Sequence, residues 1–345
     1  MNARELLKEL VRHPSSEHDD PLPVLDFAGG VATGLGARAT RIANGDRPAL
    51  LLSWGKPKVL FSGHLDTVPV SGTWKHSLGS EKGGRLYGRG TTDMKAGCAA
   101  MLAAAARLRD HGEFGILFTT DEETSMHGAE AAVAHGLLKE TELVIVGEPT
   151  DLKPCLGQKG VLQMRVTTDG ASGHASMPWA GTNAIARMGR ILAAIAPLSG
   201  TTPRRAAAMT ASPDVITGGV AMNVIVDACT LELDVRYAPR FSEKQARAKL
   251  DATLKRAKVP YKLEPVHMLE ALASKPGPVA RRMKKLSGRP FGHCDFATEA
   301  ACFAPTGAAF LVIGPGRPQD CHVTDESVEL RQVDQAVKLY EAALG

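Results

Sequence analysis

The amino-acid sequence predicts an α/β protein, a mainly parallel sheet into which a smaller α+β domain is inserted. Three observations carry that prediction. The runs Val59–Ser62, Phe114–Thr120 and Leu143–Gly147 are apolar at nearly every position, as strands buried on both faces must be. Helical patterns alternate with these runs, the order from which parallel sheets are built. From about Val161 the pattern changes to β-α-β-β-α-β, the order of a ferredoxin-like unit, and Lys275-Pro-Gly-Pro278 marks the return to the first pattern. The expected division is 1–160 and 273–345 for the larger domain and 161–272 for the insert.

Taken in order, a first amphipathic helix stops at His13-Pro14, because the residue before proline disfavours helical backbone. A second runs from Leu22 to about Leu35, and strands follow at about Ala37–Ile42, Ala49–Trp54 and Val59–Ser62. The glycine-rich Arg85–Gly97 turn enters an alanine-rich helix, Ala96–Leu108. After the strand Phe114–Thr120 come a helix near Gly128–His135 and the strand Leu143–Gly147. In the insert the expected elements are Val161–Thr168, helix Ala180–Ala196, strands Ala208–Ile216 and Val224–Tyr237, helix Phe241–Ala257 and strand Tyr261–Val266. The chain closes with the strand Ala308–Ile313, a turn at Gly314–Gly316 and an amphipathic helix, Val328–Leu344.

Composition narrows the function. The 345 residues have room for two domains and a core; 44% hydrophobic and 23% charged residues are ordinary for a globular protein. A formal charge of +4 is too slight at this length to argue for nucleic acid or a membrane surface as partner. The densest basic run, Arg281–Lys285 with Arg289, reads as the solvated face of a helix. Six scattered cysteines without a C-x-x-C pair suit free thiols, and the charged N-terminal helix is no signal peptide. The expected location is cytoplasmic.

Chemistry gathers at the ends of the predicted strands. His64 and Asp66 stand two apart at the end of the Val59 run, which puts both side chains on one face of an extended chain. A carboxylate beside an imidazole can fix its tautomer and aim the free nitrogen at a metal. Asp93 stands just ahead of the alanine-rich helix, where by itself it reads as an N-cap. Asp121-Glu122-Glu123 ends the next strand, Glu148 the one after, and Asp320–Glu326 contributes His322. Adjacent acids repel unless cations neutralise them, and open α/β sheets bind ligands at the carboxyl ends of their strands. Two histidines with carboxylates and no cysteine pair suit Zn²⁺, Co²⁺ or Mn²⁺. The acids exceed what one tetrahedral ion takes, so two divalent ions use them better, with one carboxylate left as general base.

The blocks S-G-H-L-D-T-V-P, G-R-G-T-T-D-M-K-A-G, D-E-E and V-G-E-P-T, with Ser172–Pro178 matching a G-H-x-x-x-P pattern, resemble one metallohydrolase family. Its members include acetylornithine deacetylase, succinyl-diaminopimelate desuccinylase, aminoacylase and carboxypeptidase G. The resemblance covers nearly the whole chain. It implies a zinc-exopeptidase-like catalytic domain and a dimerisation role for the ferredoxin-like insert. It implies that His64 and Glu148 hold one ion, Glu123 and His322 the other, with Asp93 bridging, Asp66 orienting His64 and Glu122 as general base. It places a cis peptide at Asp93–Met94, where Met94 stands in place of the acid common in the family. By the same resemblance His174 donates to the oxyanion across a homodimer; considered alone it is a polar turn residue. Asn223 and Arg236 match substrate-holding positions, though either could be a structural strand residue, and an arginine fork suits a carboxylate. Thr298-Glu299-Ala300 is closer to the C-T-E-A of acetylornithine deacetylase than to the T-S-D-G-R-F of desuccinylases. Glu299, if it faces the pocket, then favours a cationic or neutral polar side chain; the alternative is a surface carboxylate. The expected reaction is removal of an acyl group, acetyl first among them, from an N-acyl amino acid such as N-acetylornithine or N-acetyllysine, by an activated water bridging the two ions. Desuccinylase and peptidase activities of the same fold are the alternatives.

Overall fold

The structure, a computed structural model, describes residues 1–199 and 209–344. It divides into two compact units: Met1–Gly157 with Ser274–Cys294 and Thr298–Gly345, and Gln158–Ala273 with Asp295–Ala297. The short return of Asp295–Ala297 to the second unit leaves no trace in the sequence pattern.

In the first unit the strand Val59–His64 lies at the centre of the large sheet, parallel to Phe114–Thr119 on one side and Leu143–Val146 on the other. Ala309–Val312 continues the parallel set beyond Leu143–Val146. The flanks are antiparallel, with Ala49–Trp54 and then Arg38–Ile42 on one side and Cys155–Gln158 on the other. Leaving Val59–His64, the chain goes first to one neighbour and then to the other. The carboxyl end of the His64 strand is therefore a topological switch point, where open α/β sheets form their crevice.

Three helices, Ala3–Arg12, Lys95–Leu108 and Leu330–Glu341, pack on one another beside this sheet. A capping box of Asn2 and Glu5 starts the first. Phe61, Met101, Phe118 and Tyr340 are fully enclosed in the resulting core; burying each such side chain is worth about 1.5–3 kcal/mol. The glycine in the first turn of Lys95–Leu108 has a steric purpose. A Cβ at Gly97 would lie 2.3 Å from the carbonyl oxygen of Gly147, so only glycine lets this helix approach the segment that delivers Glu148. Short strands at Glu81–Lys82, Arg85–Tyr87 and Ser327–Glu329 form a separate small sheet. They are too short to carry a legible period.

The second unit holds the strands Gly160–Asp169, Met209–Gly218, Ala228–Tyr237 and Lys262–Leu269 and the helices Ala184–Ile195 and Glu243–Leu254. Its sheet runs Met209–Gly218, Ala228–Tyr237, Gly160–Asp169, Lys262–Leu269, all antiparallel, the strand order of a ferredoxin-like fold. Along Ala228–Tyr237 the buried positions alternate, and Leu231, Leu233, Val235 and Tyr237 face the helices' core. The first helix starts later than expected because Pro178 and Gly181 interrupt it, and Asn183 caps it by accepting the Ala186 N–H. Ala208, the expected first residue of the second strand, lies outside the described residues.

Candidate metal centre

The segments that end the central strands, the glycine-rich turn and the loop carrying His322 converge. His64 ends its strand, and its Nε2 lies 3.1 Å from Asp93 Oδ1 and 3.5 Å from Glu148 Oε1. His322 Nε2 lies 3.2 Å from the other Asp93 oxygen and 3.1 Å from Glu123 Oε1. Asp93 thus faces both imidazoles with one oxygen each. It is not the helix cap: Met94 holds the N-cap position, and Asp93–Met94 is a cis peptide. Ligating atoms of His64, Asp93 and Glu123, and of His64, Glu122 and Glu148, gather within 4.8 Å in two groups that share His64.

Of the three consecutive acids, only two reach this cluster. Asp121 turns away and accepts hydrogen bonds from Gly128 N–H, Ser125 Oγ and Asn44 Nδ2, which shape the turn into the helix His127–Ala134. Asp66 is buried, and its Oδ2 accepts the Glu123 N–H at 3.0 Å. His64 Nδ1 lies 3.0 Å from the Asp66 carbonyl and 3.5 Å from its carboxylate. Nδ1 thus has its acceptors in Asp66, while Nε2 faces Asp93 and Glu148.

The cluster is electrostatically loaded. Burial would lower the His64 imidazolium, but Asp66, Asp93 and Glu148 outweigh it and hold its pKa well above the ordinary value. Hydrogen bonds to Asp93 and Glu123 raise His322 to about 10. Burial pushes Glu148 up to about 8, with Asp93 adding repulsion. Glu122 is raised well above the carboxylate range, by burial first and by Glu148 and Glu123 against the pull of His64. Burial would raise Asp93 too, yet the two imidazoles hold it far below.

Residues 60–345 match the sequence profile described as Peptidase family M20/M25/M40. The chain belongs to this family. Its members hydrolyse amide bonds with metal ions, and this chain is such a hydrolase. It is similar to the acetylornithine deacetylase of Vibrio vulnificus, 34% identical over 84% of this chain and 81% of that one. The acetylornithine deacetylase of Myxococcus xanthus is 30% identical over 96% and 93%. In fold the chain is similar to a Staphylococcus aureus tripeptidase, with a TM-score of 0.83, 18% identity and coverage of 99% and 97%. An M20 family metallo-carboxypeptidase of Sulfolobus solfataricus gives a TM-score of 0.81, 16% identity and coverage of 100% and 98%.

The residues present fit the divalent ions this family uses. The donors are imidazole nitrogens and carboxylate oxygens, and repulsion among the acids is what a cation relieves. The His64 ring is oriented as a ligand needs: buried Asp66 Oδ1, without a hydrogen-bond partner of its own, stands behind Nδ1 while Nε2 faces the other donors.

Two supports of the M20 cluster were not foreseen from the sequence. Glu326, fully buried, accepts the N–H groups of Thr92 and Asp93. It resembles any acid near the C-terminus, and only its neighbour His322 hinted at it. Glu299 is not the surface carboxylate of the alternative reading: it is 1% exposed, and accepts hydrogen bonds from Ser62 Oγ at 2.9 Å and Thr119 Oγ1 at 2.5 Å. Both hydroxyls lie near the ends of the strands that lead to His64 and Glu122. Burial raises Glu299 to about 7.

His174, Asn223 and Arg236 belong to the second unit. Arg236 Nε and Nη2 both bind Asp234, at 2.6 and 2.9 Å, so its fork is already engaged by a carboxylate of its own strand. Asn223 is exposed, and its carbonyl accepts the Ala175 N–H. His174 is exposed, and its Nδ1 receives the Ser176 N–H at 3.2 Å. An N–H can only donate, so Nδ1 is the acceptor and the neutral ring carries its proton on Nε2. Among the described residues no helix is long and apolar enough to cross a membrane.

Proposed function

We propose that this M20 hydrolase removes a short acyl group, acetyl in the first instance, from an N-acyl α-amino acid such as N-acetylornithine or N-acetyllysine. The observation that carries the reading is the convergence of His64, Asp93, Glu122, Glu123, Glu148 and His322 at the carboxyl end of one sheet. Similarity to acetylornithine deacetylases over most of both chains supports the substrate class.

In this reading His64 and Glu148 hold one divalent ion, Glu123 and His322 a second, and Asp93 serves both. Zinc is the first candidate, with cobalt or manganese able to use the same donors. Such ions supply polarisation of the amide carbonyl and make water more acidic. The rest falls to the chain. Glu122 takes the proton of the attacking water as the new C–O bond forms, then passes it to the amide nitrogen as the C–N bond breaks. Asp66 holds the His64 ring by its carbonyl and ties the Glu123 backbone by its carboxylate. The Nε2–H of His174 is a donor for the developing oxyanion, supplied by a second copy of the chain. Exposed Trp179, Val220 and Met222 near His174 and Asn223 in sequence support a homodimer built on the second unit. Six cysteines, none of them in a disulfide, support a reducing, cytoplasmic location.

The test is an assay of zinc- and cobalt-loaded protein against N-acetyl, N-succinyl and dipeptide substrates. N-acetylornithine or N-acetyllysine should be turned over fastest, and chelation should abolish the rate. Faster cleavage of dipeptides or of the succinyl substrates overturns the substrate assignment. Turnover that survives chelation overturns the metal centre. Replacing His174 by Ala should cost about 10²–10³ in kcat; an unimpaired rate removes it from the mechanism.

A further inference from the structure

We propose that Glu326 is a positioning residue that sets the backbone of Asp93 and ties it to the loop carrying His322. The proposal rests on Asp93 and His322 being ligands of the metal centre. The carboxylate of Glu326 is 0% exposed and both its oxygens are used. Oε1 accepts the N–H of Thr92 at 2.8 Å and of Asp93 at 3.2 Å, and Oε2 accepts Arg89 Nη1 at 2.5 Å. The same arginine nitrogen reaches the Val323 carbonyl at 3.4 Å, and Trp74 covers the guanidinium with its ring 5.5 Å away. The Gly88 N–H donates to the Glu326 carbonyl at 2.9 Å, and Thr92 Oγ1 donates to the Ser327 carbonyl at 3.1 Å. Two segments more than two hundred residues apart are thereby laced together on either side of the cluster.

The need for such a device follows from where the two ligands sit. Asp93 stands before the first turn of its helix, and His322 lies in a loop with φ of 61°. Neither position is held by a ladder of strand or helix hydrogen bonds. A ligand set works only when its members are held to about 0.5 Å, which irregular backbone achieves through supporting hydrogen bonds. Without Glu326 two amide groups beside Asp93 would lose their acceptor, and the Arg89 charge would be buried without its partner.

A buried ion pair that merely stabilised the fold would look similar, so the test separates the two roles. Glu326→Ala removes every contact of the carboxylate, while Glu326→Gln keeps an acceptor of the same shape. Three quantities are measured: amide hydrogen exchange of residues 88–97 in metal-free protein, zinc affinity by competition with a chromophoric chelator, and kcat beside KM. In Glu326→Ala the Thr92 and Asp93 amides should exchange faster, zinc should bind about 10–100-fold more weakly, and kcat should fall with KM little changed. Glu326→Gln keeps one acceptor for the two amides but leaves the Arg89 charge unpaired, so it should recover the amide protection and part of the zinc affinity and kcat. Wild-type zinc affinity and kcat in folded Glu326→Ala overturn the proposal, as does a loss of thermal stability alone. If that variant does not fold, Glu326→Asp keeps the charge but shortens its reach, and should bind zinc at least about tenfold more weakly; wild-type affinity there is equally fatal. Wild-type protein that binds no zinc defeats the metal-centre reading instead, and exchange in the metal-free protein still reports on Glu326.

Discussion

The two sides of the M20 cluster are held in different ways. His64 and Glu148 follow neighbouring parallel strands at the middle of the sheet, and both are buried. His322 comes from a loop, and its side chain is 50% exposed, with Glu123 in the turn that follows the strand Phe114–Thr119. On the first side the sheet register places the backbone of the donor residues, and Asp66 orients the His64 ring. On the second, additional contacts are needed: Asp66 receives the Glu123 N–H, and Glu326 laces the His322 segment to the Asp93 turn. Parallel-strand ends give ligands their places as a consequence of folding, whereas loop ligands require dedicated hydrogen bonds.

The largest expected effect concerns a residue of the buried side that we read as holding no metal. Glu122→Gln should lower kcat by about 10³-fold, within the range for a general base, while metal analysis still finds two ions per chain. Loss of an ion instead would make Glu122 a ligand. Glu299→Gln tests how far the buried side depends on charge beneath it. Folding raises the Glu299 carboxyl from an ordinary 4.5 to about 7, so its contribution to stability is fully present below pH 4.5 and lost as pH rises to 7. The loss is about 3 kcal/mol at most. In metal-free protein the amide variant should lack this slope, and denaturant unfolding between pH 4 and 8 measures it. Parallel slopes would show that the carboxylate is not charged in isolation there. Asp66→Asn should weaken metal binding by about 10–100-fold, because it disturbs both His64 and the Glu123 turn. Smallest is the contrast of ligands themselves: His322→Ala should leave one ion bound near wild-type affinity, whereas His64→Ala should disturb both. Equal losses in zinc titrations would erase the distinction between the two sides.

Much of this architecture is legible in the chain. Phe114–Thr119 and Leu143–Val146 are apolar runs whose ends are marked by the acids that follow, so strand ends and candidate donors could be placed together. Asp93 was ambiguous, since an aspartate before a helix reads as a cap; the structure gives that place to Met94 and aims Asp93 at two imidazoles. Asp121 could not be separated from Glu122 and Glu123 by position alone. Its partners, Asn44 and Gly128, are supplied by tertiary contact and by the following turn. Glu299 was read as a pocket residue from its likeness to C-T-E-A, with a surface carboxylate as the alternative; full burial was not foreseen because charged side chains rarely lie fully inside. Two hydroxyls from separate strands make its burial tolerable.

The sequence by itself determined the order of elements, the inserted unit and the donor types, because apolar periodicity and residue chemistry are local properties. Only the tertiary structure decided that Asp121 turns away from the cluster, that Glu299 lies beneath the strands, and that Glu326 reaches Asp93. Those relations join residues far apart in the chain, and the register of the sheet and the packing of helices on it bring them within hydrogen-bonding distance.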